Sequence, residues 1–373
     1  MKKIHLIIGA RPNIMKIAPL YKELMLCSNR YTPVIIHTGQ HYDERMNELF
    51  FEELSISKPD FTLDVGSASH SEQTARIMER YEEVLFQDKP DLVIVAGDVN
   101  STMACAIVAV KQHIPVAHLE AGLRSYDNSM PEEINRIVTD SISDILLTPS
   151  IDADENLVVE GIPRDKIHFV GNIMIDSLMK NLLESSKSTI LCDLCLEPES
   201  YALLTLHRPS NVDNVDSLKL VIEIIKQICL IQPVVIPLHP RTEKNIHAFG
   251  LDSRFYSIPN LTVLPPLGYL DMLKLEMNAT LIITDSGGLQ EESTFMGIPC
   301  LTIRENTERP ITVTQGTNIL ITKLDKQLIL AEVYKVLSGN GKKGTIPDLW
   351  DGKTSIRVID VLDKFLSVYH TKE

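Results

Sequence analysis

The segment from residue 281 to residue 310 carries the pattern with the clearest chemical meaning in this chain. An apolar run, Leu281–Thr284, predicts a buried strand, and it is followed by Asp285-Ser286-Gly287-Gly288 and then by residues with helical spacing. A glycine pair at a strand-to-helix turn lets backbone N–H groups approach an anion, and the helix N-terminus adds partial positive charge. Ser286, Gly287 and Gly288 therefore predict a phosphate-binding turn.

Charged residues after this turn extend the pattern to half of a nucleotide-diphosphate site. Glu291 and Glu292 lie one turn into the predicted helix, where a carboxylate could bind ribose hydroxyls. Arg304 and Arg309 follow the next predicted strand, and guanidinium groups suit the neutralisation of a diphosphate.

The first predicted strand also ends in cationic residues. It runs into Gly9-Ala10-Arg11-Pro12, and Lys16 follows about one helical turn later. Arg11 is expected at the carboxyl end of a strand and Lys16 near the start of a helix, so the two could clamp a phosphate. The alternative is a solvated arginine and a surface lysine.

Three carboxylates follow the strand-end pattern in the N-terminal half. Asp98 comes after the apolar run DLVIVAG and is either a helix N-cap or a site residue, with Asn100 or Ser101 able to act as the cap instead.

Glu120 ends the next predicted strand, where a poorly solvated carboxylate should titrate abnormally. Its alternative role is to pair with Arg124 or Arg136. Glu132 opens the following helix, where an acid also suits the helix N-terminus. Together with Asp98, these residues predict an acid–base cluster at one sheet edge, able to move a proton at carbon.

Histidine and arginine pairs follow two predicted strands of the C-terminal half. They are His207-Arg208 and His239-Pro240-Arg241, and they predict side chains that face a phosphate. The sequence contains no nucleophilic serine elbow, no metal-spaced His/Asp set and no Gly-x-Gly-x-x-Gly fingerprint. The absence of the last motif argues against a reaction that needs a bound dinucleotide.

The elements that must position these residues alternate between strand and helix. Continuous apolar strands separated by helices predict parallel sheets covered on both faces. The predicted strands form two series, 4–8, 34–37, 92–96, 116–119, 145–147 and 167–170, then 202–206, 234–238, 261–264, 281–284 and 300–303.

The predicted fold class is therefore α/β, with two doubly wound parallel-sheet (Rossmann-like) domains facing a cleft. Residues 1–175 form the first domain, with the acid–base carboxylates, and residues 176–354 form the second, with the nucleotide-binding turn. The last helix, within 355–373, is expected to pack back on the first domain.

The composition of the chain limits the kinds of partner that it can bind. A net charge of −14 argues against a nucleic-acid or anionic-membrane partner, because no basic field exists to attract either. No apolar run approaches the roughly 18–20 residues that span a bilayer. The six cysteines are scattered, mostly in apolar runs, as is typical of free thiols in a cytoplasmic protein.

The motifs recur in this order in one known family. They are Gly9-Ala10-Arg11-Pro12, Gly39-Gln40-His41, Gly97-Asp98, Glu120-Ala121-Gly122-Leu123-Arg124, Pro131-Glu132-Glu133-x-Asn135-Arg136, Asp285-Ser286-Gly287-Gly288-x-Gln290-Glu291-Glu292 and Thr307-Glu308-Arg309-Pro310. Over essentially its whole length, the chain resembles the non-hydrolysing UDP-N-acetylglucosamine 2-epimerases.

The resemblance implies a glycosyltransferase-B-like fold, a homodimer, and a reaction without NAD or a required metal. Members interconvert UDP-N-acetylglucosamine and UDP-N-acetylmannosamine, which feeds surface polysaccharide synthesis. A base removes the C2 proton while UDP leaves C1, and UDP then adds back to the bound 2-acetamidoglucal.

The resemblance also implies roles for individual residues. By motif, the catalytic residues are Asp98, Glu120, Glu132 and His207. By motif, the binding residues are Arg11, Lys16, Arg136, Ser286, Gly287, Gly288, Glu292 and Arg309, to which the strand-end pattern adds His239. Which carboxylate is the base and which the acid stays open.

Some segments depart from the family pattern. Many members have Gly-His-Arg-Arg-Glu where this chain has Leu206-His207-Arg208-Pro209-Ser210, and the loop from Glu120 to Glu132 is shorter than in the best-known bacterial members. Allosteric activation by a second substrate molecule uses Gln-His-Arg-Glu-Met in some members, whereas residues 40–44 here are Gln-His-Tyr-Asp-Glu.

Four other functions compete with this one. The nearest is 2-epimerisation of a modified sugar such as UDP-2,3-diacetamido-glucuronic acid, against which the retained Thr307-Glu308-Arg309-Pro310 is taken as an argument. A hydrolysing epimerase is disfavoured by the Gly-Ala-Arg-Pro start. A UDP-sugar glycosyltransferase would need an acceptor site, and a UDP-sugar sensor would not need Glu120.

Overall fold

The computed structural model of the protein describes residues 1–39, 51, 54 and 56–369, with the backbone alone for residues 11, 12 and 369. The chain forms two compact units. The N-terminal unit comprises Met1–Ser177 and Asp348–Glu373, and the C-terminal unit is Leu178–Pro347. The division lies two residues after the boundary expected at 175/176 and falls within a helix.

The N-terminal unit is built on a parallel sheet of seven strands in the order β3-β2-β1-β4-β5-β6-β7. The strands are β1 Lys2–Ile8, β2 Tyr31–His37, β3 Phe61–Thr62, β4 Leu92–Ala96, β5 Val116–Leu119, β6 Ile145–Thr148 and β7 Ile167–Phe169. All residues of β4 and β5 are buried, because helices cover both faces of the sheet. His118 is the one polar residue in these two strands.

The helices of the N-terminal unit follow its strands. They are α1 Arg11–Leu26, α2 His70–Gln87, α3 Asn100–Lys111, α4 Pro131–Ile142, α5 Ile151–Val159, the 3₁₀ turn Arg164–Lys166, α6 Ile173–Ser185 and, at the end of the chain, α16 Thr354–Tyr369. Helix α2 begins after Ser69, whose side chain accepts a hydrogen bond from the Glu72 N–H. Its inner face packs Ile77 and Tyr81 into the core.

The C-terminal unit repeats this plan with a parallel sheet in the order β10-β9-β8-β11-β12-β13. The strands are β8 Ala202–Thr205, β9 Val234–Pro237, β10 Leu261–Leu264, β11 Leu281–Thr284, β12 Cys300–Ile303 and β13 Asn318–Ile321. The helices are α7 Ile190–Asp193, α8 Pro209–Val212, α9 Val215–Cys229, α10 Pro240–Ala248, α11 Asp252–Tyr256, α12 Tyr269–Met277, α13 Gly287–Met296, α14 Pro310–Thr314 and α15 Lys326–Leu337.

Each sheet reverses its strand order at one point. The reversal lies between β1 and β4 in the N-terminal unit and between β8 and β11 in the C-terminal unit. In open parallel sheets, ligands bind outside the carboxyl ends of the strands at such a switch point. The loops after these four strands are therefore where each unit is expected to place its functional residues.

The prediction of two doubly wound parallel-sheet domains is confirmed. The short strand β3 and the edge strand β13 were not predicted: the first has two residues, and the second is a short edge strand that begins with a polar residue, Asn318. Within the described residues, no helix is both long and apolar enough to cross a membrane. All six cysteines are free, and Cys105, Cys229 and Cys300 are buried.

Helix α16 belongs to the N-terminal unit, where it packs against α1. A single carboxylate fixes its start. Asp176 of α6 is buried and accepts hydrogen bonds from the N–H groups of Thr354 and Ser355, at 3.0 and 2.7 Å, and from Ser355 Oγ at 2.7 Å. A carboxylate at a helix N-terminus satisfies free donors and favours the helix dipole.

We predict that Asp176→Asn lowers the free energy of unfolding by about 1–3 kcal/mol, because an amide nitrogen then faces backbone donors. The apparent Tm should fall by about 5 °C. Differential scanning calorimetry measures this, with Asp360→Asn, on the exposed side of α16, as the control. Equal melting of the two variants would contradict the capping role.

Candidate active site

The switch point of the N-terminal unit is tied together by one amide. Asn13, in the first turn of α1, accepts hydrogen bonds from the N–H groups of Gly9 and Ala10, at 3.3 and 3.0 Å. Its Nδ2 donates to the carbonyl oxygen of Ala96 at 2.6 Å. The loop after β1 is thereby held against the end of β4, next to the segment that carries Asp98.

Lys16 and Glu120 form a buried ion pair at the same edge of the sheet. Both residues are about 5% exposed, so each charge depends on the other in place of water. The ammonium group lies against Gly97, where a Cβ would be 2.6 Å from Lys16 Nζ. Gly97, with a φ of +66°, thus leaves the space in which the pair forms.

Glu120 has an unusual backbone conformation. Its φ is +72°, in the left-handed region that side-chain-bearing residues seldom adopt. The N–H groups of Glu120 and Ala121 both donate to the carbonyl oxygen of Leu147, at 3.0 and 3.1 Å, which holds the turn at the end of β5. Such strain costs about 1–3 kcal/mol and concentrates at functional sites, which supports a site role for Glu120.

A second ion-pair chain lies on helix α4. The Arg136 guanidinium binds Asp98 and, through Nε at 3.0 Å, Glu133. Glu133 also accepts the N–H groups of Ser125 and Tyr126. Burial tends to raise the pKa of Glu133, but these hydrogen bonds and Arg136 bring it below its ordinary value.

Three expectations about these residues are corrected. The cap of α3 is Val99, without a side-chain hydrogen bond, so neither Asn100 nor Ser101 caps it, and Asp98 pairs with Arg136. The alternative that Lys16 is a surface side chain is wrong, because it is buried.

The partner of Glu120 is Lys16, and Arg124 pairs with Asp140 and Glu160 instead. Glu132 lies in the first turn of α4 and is partly exposed. The side chain of Arg11 and residues 40–44 lie outside what the structure describes.

The switch point of the C-terminal unit is organised by Asp285, which follows β11 and is fully buried. Its carboxylate accepts the N–H groups of His207, at 3.0 Å, and Arg208, at 2.8 Å, and the Asn211 amide at 2.9 Å. Burial tends to raise the pKa of Asp285, but the contact with His207 and these donors lower it. Asp285 is therefore an ionised anchor for the loop after β8.

His207 and His239 lie side by side, with ring centroids 5.1 Å apart. His207 Nδ1 is 2.9 Å from the Asp285 carboxylate, and His239 Nδ1 accepts the Arg241 N–H at 3.1 Å. Burial and the neighbouring His207 lower the pKa of His239. A neutral His239 that accepts at Nδ1 carries its proton on Nε2.

The predicted phosphate-facing role fits the two histidines better than it fits Arg241. The Arg241 guanidinium is engaged by the exposed Asp213, with two contacts of 2.8 Å.

Arg309 lies beside the predicted phosphate-binding turn. A Cβ at Gly287 would lie 2.8 Å from one Arg309 terminal nitrogen, whereas a Cβ at Gly288 would meet nothing within 4 Å. The guanidinium therefore lies directly beside the N-terminus of α13, which Ser286 begins as its N-cap. A helix N-terminus and a buried arginine together favour an anion.

Two carboxylates hold Arg309 in this position. Arg309 Nε is 3.0 Å from Glu291, and a terminal nitrogen is 2.5 Å from Glu308, which also binds Arg304 at 2.7 Å. Burial tends to raise the pKa of Glu308, but Arg309 and Arg304 lower it far below its ordinary range. Glu291 thus binds Arg309. Of the two acids predicted to bind ribose hydroxyls, Glu291 and Glu292, only Glu292 therefore remains a candidate.

Glu292 is buried one turn into α13 and accepts a hydrogen bond from the Tyr269 hydroxyl at 2.8 Å. Glu276 of α12, 1% exposed, lies beside it. Burial, the charge of Glu292 and a hydrogen bond between the two carboxyl groups raise the pKa of Glu276 well above its ordinary value. The raised pKa favours the neutral form of Glu276 beside Glu292.

The structure connects Lys16, Glu120, Asp98 and Arg136 around Gly97 in one unit. In the other unit, Asp285 contacts His207, His239 lies beside His207, and Arg309 lies beside Gly287. Sequence reasoning missed several residues that hold these groups, namely Asn13, His118, Asp140, Glu276 and Tyr269. The available signal was a polar residue inside an apolar strand or helix face, as with His118 in the run VAHL.

The chain is similar to known proteins over most of its length. A model of the UDP-N-acetylglucosamine 2-epimerase family matches residues 26–363. The chain is 44% identical over 345 residues to a UDP-N-acetylglucosamine 2-epimerase of Methanococcus maripaludis, covering 91% of this chain and 93% of the relative. It is 43% identical over 322 residues to a UDP-2,3-diacetamido-2,3-dideoxy-D-glucuronate 2-epimerase of Pseudomonas aeruginosa, covering 86% and 88%.

Solved structures show the same fold. The Methanocaldococcus jannaschii UDP-GlcNAc 2-epimerase, crystallised with UDP-GlcNAc and UDP, is similar at a TM-score of 0.88 and 42% identity, over 97% of this chain and 99% of that one. A distant likeness to the lipopolysaccharide outer core galactosyltransferase WaaB, at 14% identity and a TM-score of 0.55, shows the fold alone. It agrees with the predicted glycosyltransferase-B-like architecture.

We predict that Glu276→Gln makes the protein increasingly more stable than wild type as the pH rises above about 4.5. Folded Glu276 keeps a proton that the unfolded chain loses near its ordinary value of 4.5, so wild-type stability falls with rising pH until the folded group itself ionises. Glutamine donates the same hydrogen bond without that proton.

The difference in the free energy of unfolding should grow by about 1.4 kcal/mol per pH unit in this window. Urea unfolding between pH 5 and pH 8 measures it, with Glu305→Gln, an exposed acid of the same unit, as the control. A difference that stays constant with pH would show that Glu276 is ionised in the folded protein.

Proposed function

The chain belongs to the UDP-N-acetylglucosamine 2-epimerase family, and on that premise we propose that it interconverts UDP-N-acetylglucosamine and UDP-N-acetylmannosamine by inverting C2. The observation that carries the proposal is the Glu120 carboxylate, buried at a strand end in a strained turn and paired with Lys16. An ionised carboxylate in a poorly solvated site is suited to accept a proton from carbon.

The proposed reaction is an elimination followed by an addition. A carboxylate takes the C2 proton, the C1–O bond to UDP breaks, and a C1–C2 double bond forms, which gives UDP and 2-acetamidoglucal. A UDP oxygen then adds to C1 while a proton reaches C2 from the opposite face. Asp98, Glu120 and Glu132 are the proposed proton carriers, because two faces of C2 require more than one such group.

The C-terminal unit is proposed to hold the nucleotide. Diphosphate oxygens would accept from the Ser286 hydroxyl and from the N–H groups of Gly287 and Gly288, beside Arg309, where the charge that develops on departing UDP is stabilised. Glu292, held in place by the Tyr269 hydroxyl, would accept from ribose hydroxyls.

His207 and His239 are proposed to act on the leaving diphosphate or the sugar. Asp285 fixes the orientation of His207 through Nδ1, which leaves Nε2 available to a ligand. The cationic groups of the N-terminal unit, Arg11, Lys16 and Arg136, are proposed to balance the charge of the carboxylates and of the substrate.

A second candidate substrate is UDP-2,3-diacetamido-2,3-dideoxy-D-glucuronate. The relative from Pseudomonas aeruginosa that bears this name is 43% identical to the chain, close to the 44% of the relative from Methanococcus maripaludis. The chemistry at C2 is the same for both sugars, so the proposed proton carriers serve either one.

The proposed assembly is a homodimer, for which the family resemblance is the support. The proposed location is the cytoplasm. Reducing conditions there keep thiols free, which agrees with the six unpaired cysteines.

We predict that the protein converts UDP-N-acetylglucosamine in deuterium oxide into UDP-N-acetylmannosamine with deuterium at C2, without added NAD or metal. NMR of the C1 proton follows the product, and loss of the C2 proton signal reports exchange with solvent. A parallel reaction with the diacetamido-glucuronate substrate compares kcat/KM. No turnover of UDP-N-acetylglucosamine alongside rapid turnover of the other sugar would transfer the proposal to the second substrate. Product that retains protium at C2 would contradict an exchangeable proton.

We predict that Glu120→Gln lowers kcat by at least about 10²-fold, because the amide cannot accept the C2 proton. The Kd of UDP should stay close to that of wild type, since the proposed nucleotide contacts lie in the other unit. Steady-state kinetics and isothermal titration calorimetry measure the two quantities. Glu79→Gln, on the exposed side of α2, is the control. Near-normal turnover of Glu120→Gln would remove this residue from the mechanism.

A further inference from the structure

The fully buried His118 uses both ring nitrogens. Its Nε2 lies 2.8 Å from the carbonyl oxygen of Gly97, and its Nδ1 lies 2.6 Å from Oδ1 of Asp140. A carbonyl oxygen only accepts, so Nε2 carries a hydrogen. The short contact on the other side needs a hydrogen of its own, because an unprotonated nitrogen and a carboxylate oxygen are both acceptors.

That second hydrogen belongs to the ring, because Asp140 is stabilised as a carboxylate. Its other oxygen accepts the Gly122 N–H at 3.1 Å and lies 2.7 Å from the Arg124 guanidinium. Burial tends to raise the pKa of Asp140, but His118 and Arg124 bring it below its ordinary value. His118 thus lies between two acceptors, the Asp140 carboxylate at Nδ1 and the Gly97 carbonyl oxygen at Nε2.

Asp140 consequently holds the Glu120 turn from both sides. It binds His118, two residues before Glu120, and the N–H of Gly122, two residues after it. Glu120 itself stands in the left-handed region at a φ of +72°. A backbone in that region persists only when its surroundings fix it.

The same histidine reaches the segment that bears Asp98. The Gly97 carbonyl accepts from His118, and the Gly97 N–H donates to the carbonyl oxygen of Leu119 at 3.0 Å. Gly97 also leaves the space for Lys16. The Asp140–His118 pair thus connects the backbone around both proposed proton carriers, Glu120 and Asp98, without contacting either carboxylate.

We propose that Asp140 and His118 are positioning residues for proton transfer, and that their hydrogen-bonded pair sets the distance and orientation of Glu120 and Asp98 relative to the reacting carbon. The inference rests on the proposed function and adds two residues to its machinery. The Arg124–Glu160 contact, at 2.6 and 2.7 Å, belongs to the same charge chain but lies on the far side of Asp140. It is therefore expected to serve stability without setting the geometry of proton transfer.

The first test compares Asp140→Asn with two controls. Glu160→Gln removes the other partner of Arg124, and Asp176→Asn disturbs a buried carboxylate of the same unit at the start of α16. Asp140→Asn should lower kcat about 10²-fold, the effect of a misplacement of about 1 Å, while the Kd of UDP changes less than about twofold. Both controls should keep kcat within about twofold of wild type, even where the apparent Tm falls.

The second test separates the two hydrogen bonds of His118 and serves if Asp140→Asn does not fold. In His118→Gln the new amide nitrogen can replace Nε2 at the Gly97 carbonyl, and in His118→Asn the shorter amide can replace Nδ1 at Asp140. Each variant should lower kcat with little change in the Kd of UDP. A reduced kcat in both His118 variants supports a requirement for both hydrogen bonds of His118. Wild-type kcat in both His118 variants, or in Asp140→Asn, overturns the proposal.

A substrate-free measurement keeps this inference distinct from the proposed function. In ¹⁵N-histidine-labelled wild type, NMR should show both His118 N–H hydrogens, with the Nδ1 hydrogen far downfield because of its 2.6 Å contact. The signal should be lost in Asp140→Asn and retained in Asp176→Asn. A ring with a single hydrogen would contradict the inference. Inactivity of wild type towards both UDP-sugars would contradict the proposed function and leave this result unchanged.

Discussion

A carboxylate that is buried at the end of a strand keeps its charge only when cations or hydrogen-bond donors replace the water it has lost. The N-terminal unit meets this requirement with Lys16 for Glu120 and with His118 and Arg124 for Asp140. Removing one member of a pair would leave the other with a buried, unpaired charge, so the residues at this sheet edge depend on one another. The position of Glu120 is thus a consequence of charge pairing across α1, β5 and α4.

The two units solve the same topological problem with different side chains. At a switch point, the loops after two adjacent strands leave in opposite directions, and their backbone groups lose sheet partners. Asn13 joins the loop after β1 to the end of β4 in one unit. Asp285 joins the end of β11 to the loop after β8 in the other. The amide can both donate and accept, whereas the carboxylate only accepts and so collects backbone N–H groups, including that of His207.

The sequence predicted the architecture well because apolar runs such as Leu92–Ala96 are buried on both faces and carry an unambiguous signal. The strand-end residues Glu120 and Asp98 were also predictable, since parallel strands align their carboxyl ends. Their partners were not, because pairing depends on side-chain reach between elements: Lys16 comes from α1, more than a hundred residues before Glu120. The raised pKa of Glu276 was undetectable for the same reason, as only burial beside another acid produces it.

The proposed anion site of the C-terminal unit indicates how a protein of net charge −14 can present positive potential locally. Arg309 lies beside the N-terminus of α13, where an isolated cation would be repelled by the helix dipole. Glu291 and Glu308 offset that repulsion and fix the guanidinium, and Arg304 compensates Glu308 in turn. The four side chains sum to zero charge, so the helix N-terminus and the adjoining edge of Arg309 are left to attract an anion. Because the donors are fixed before a ligand binds, little reorganisation would oppose binding. The turn would therefore select anions whose oxygens match the positions of these donors.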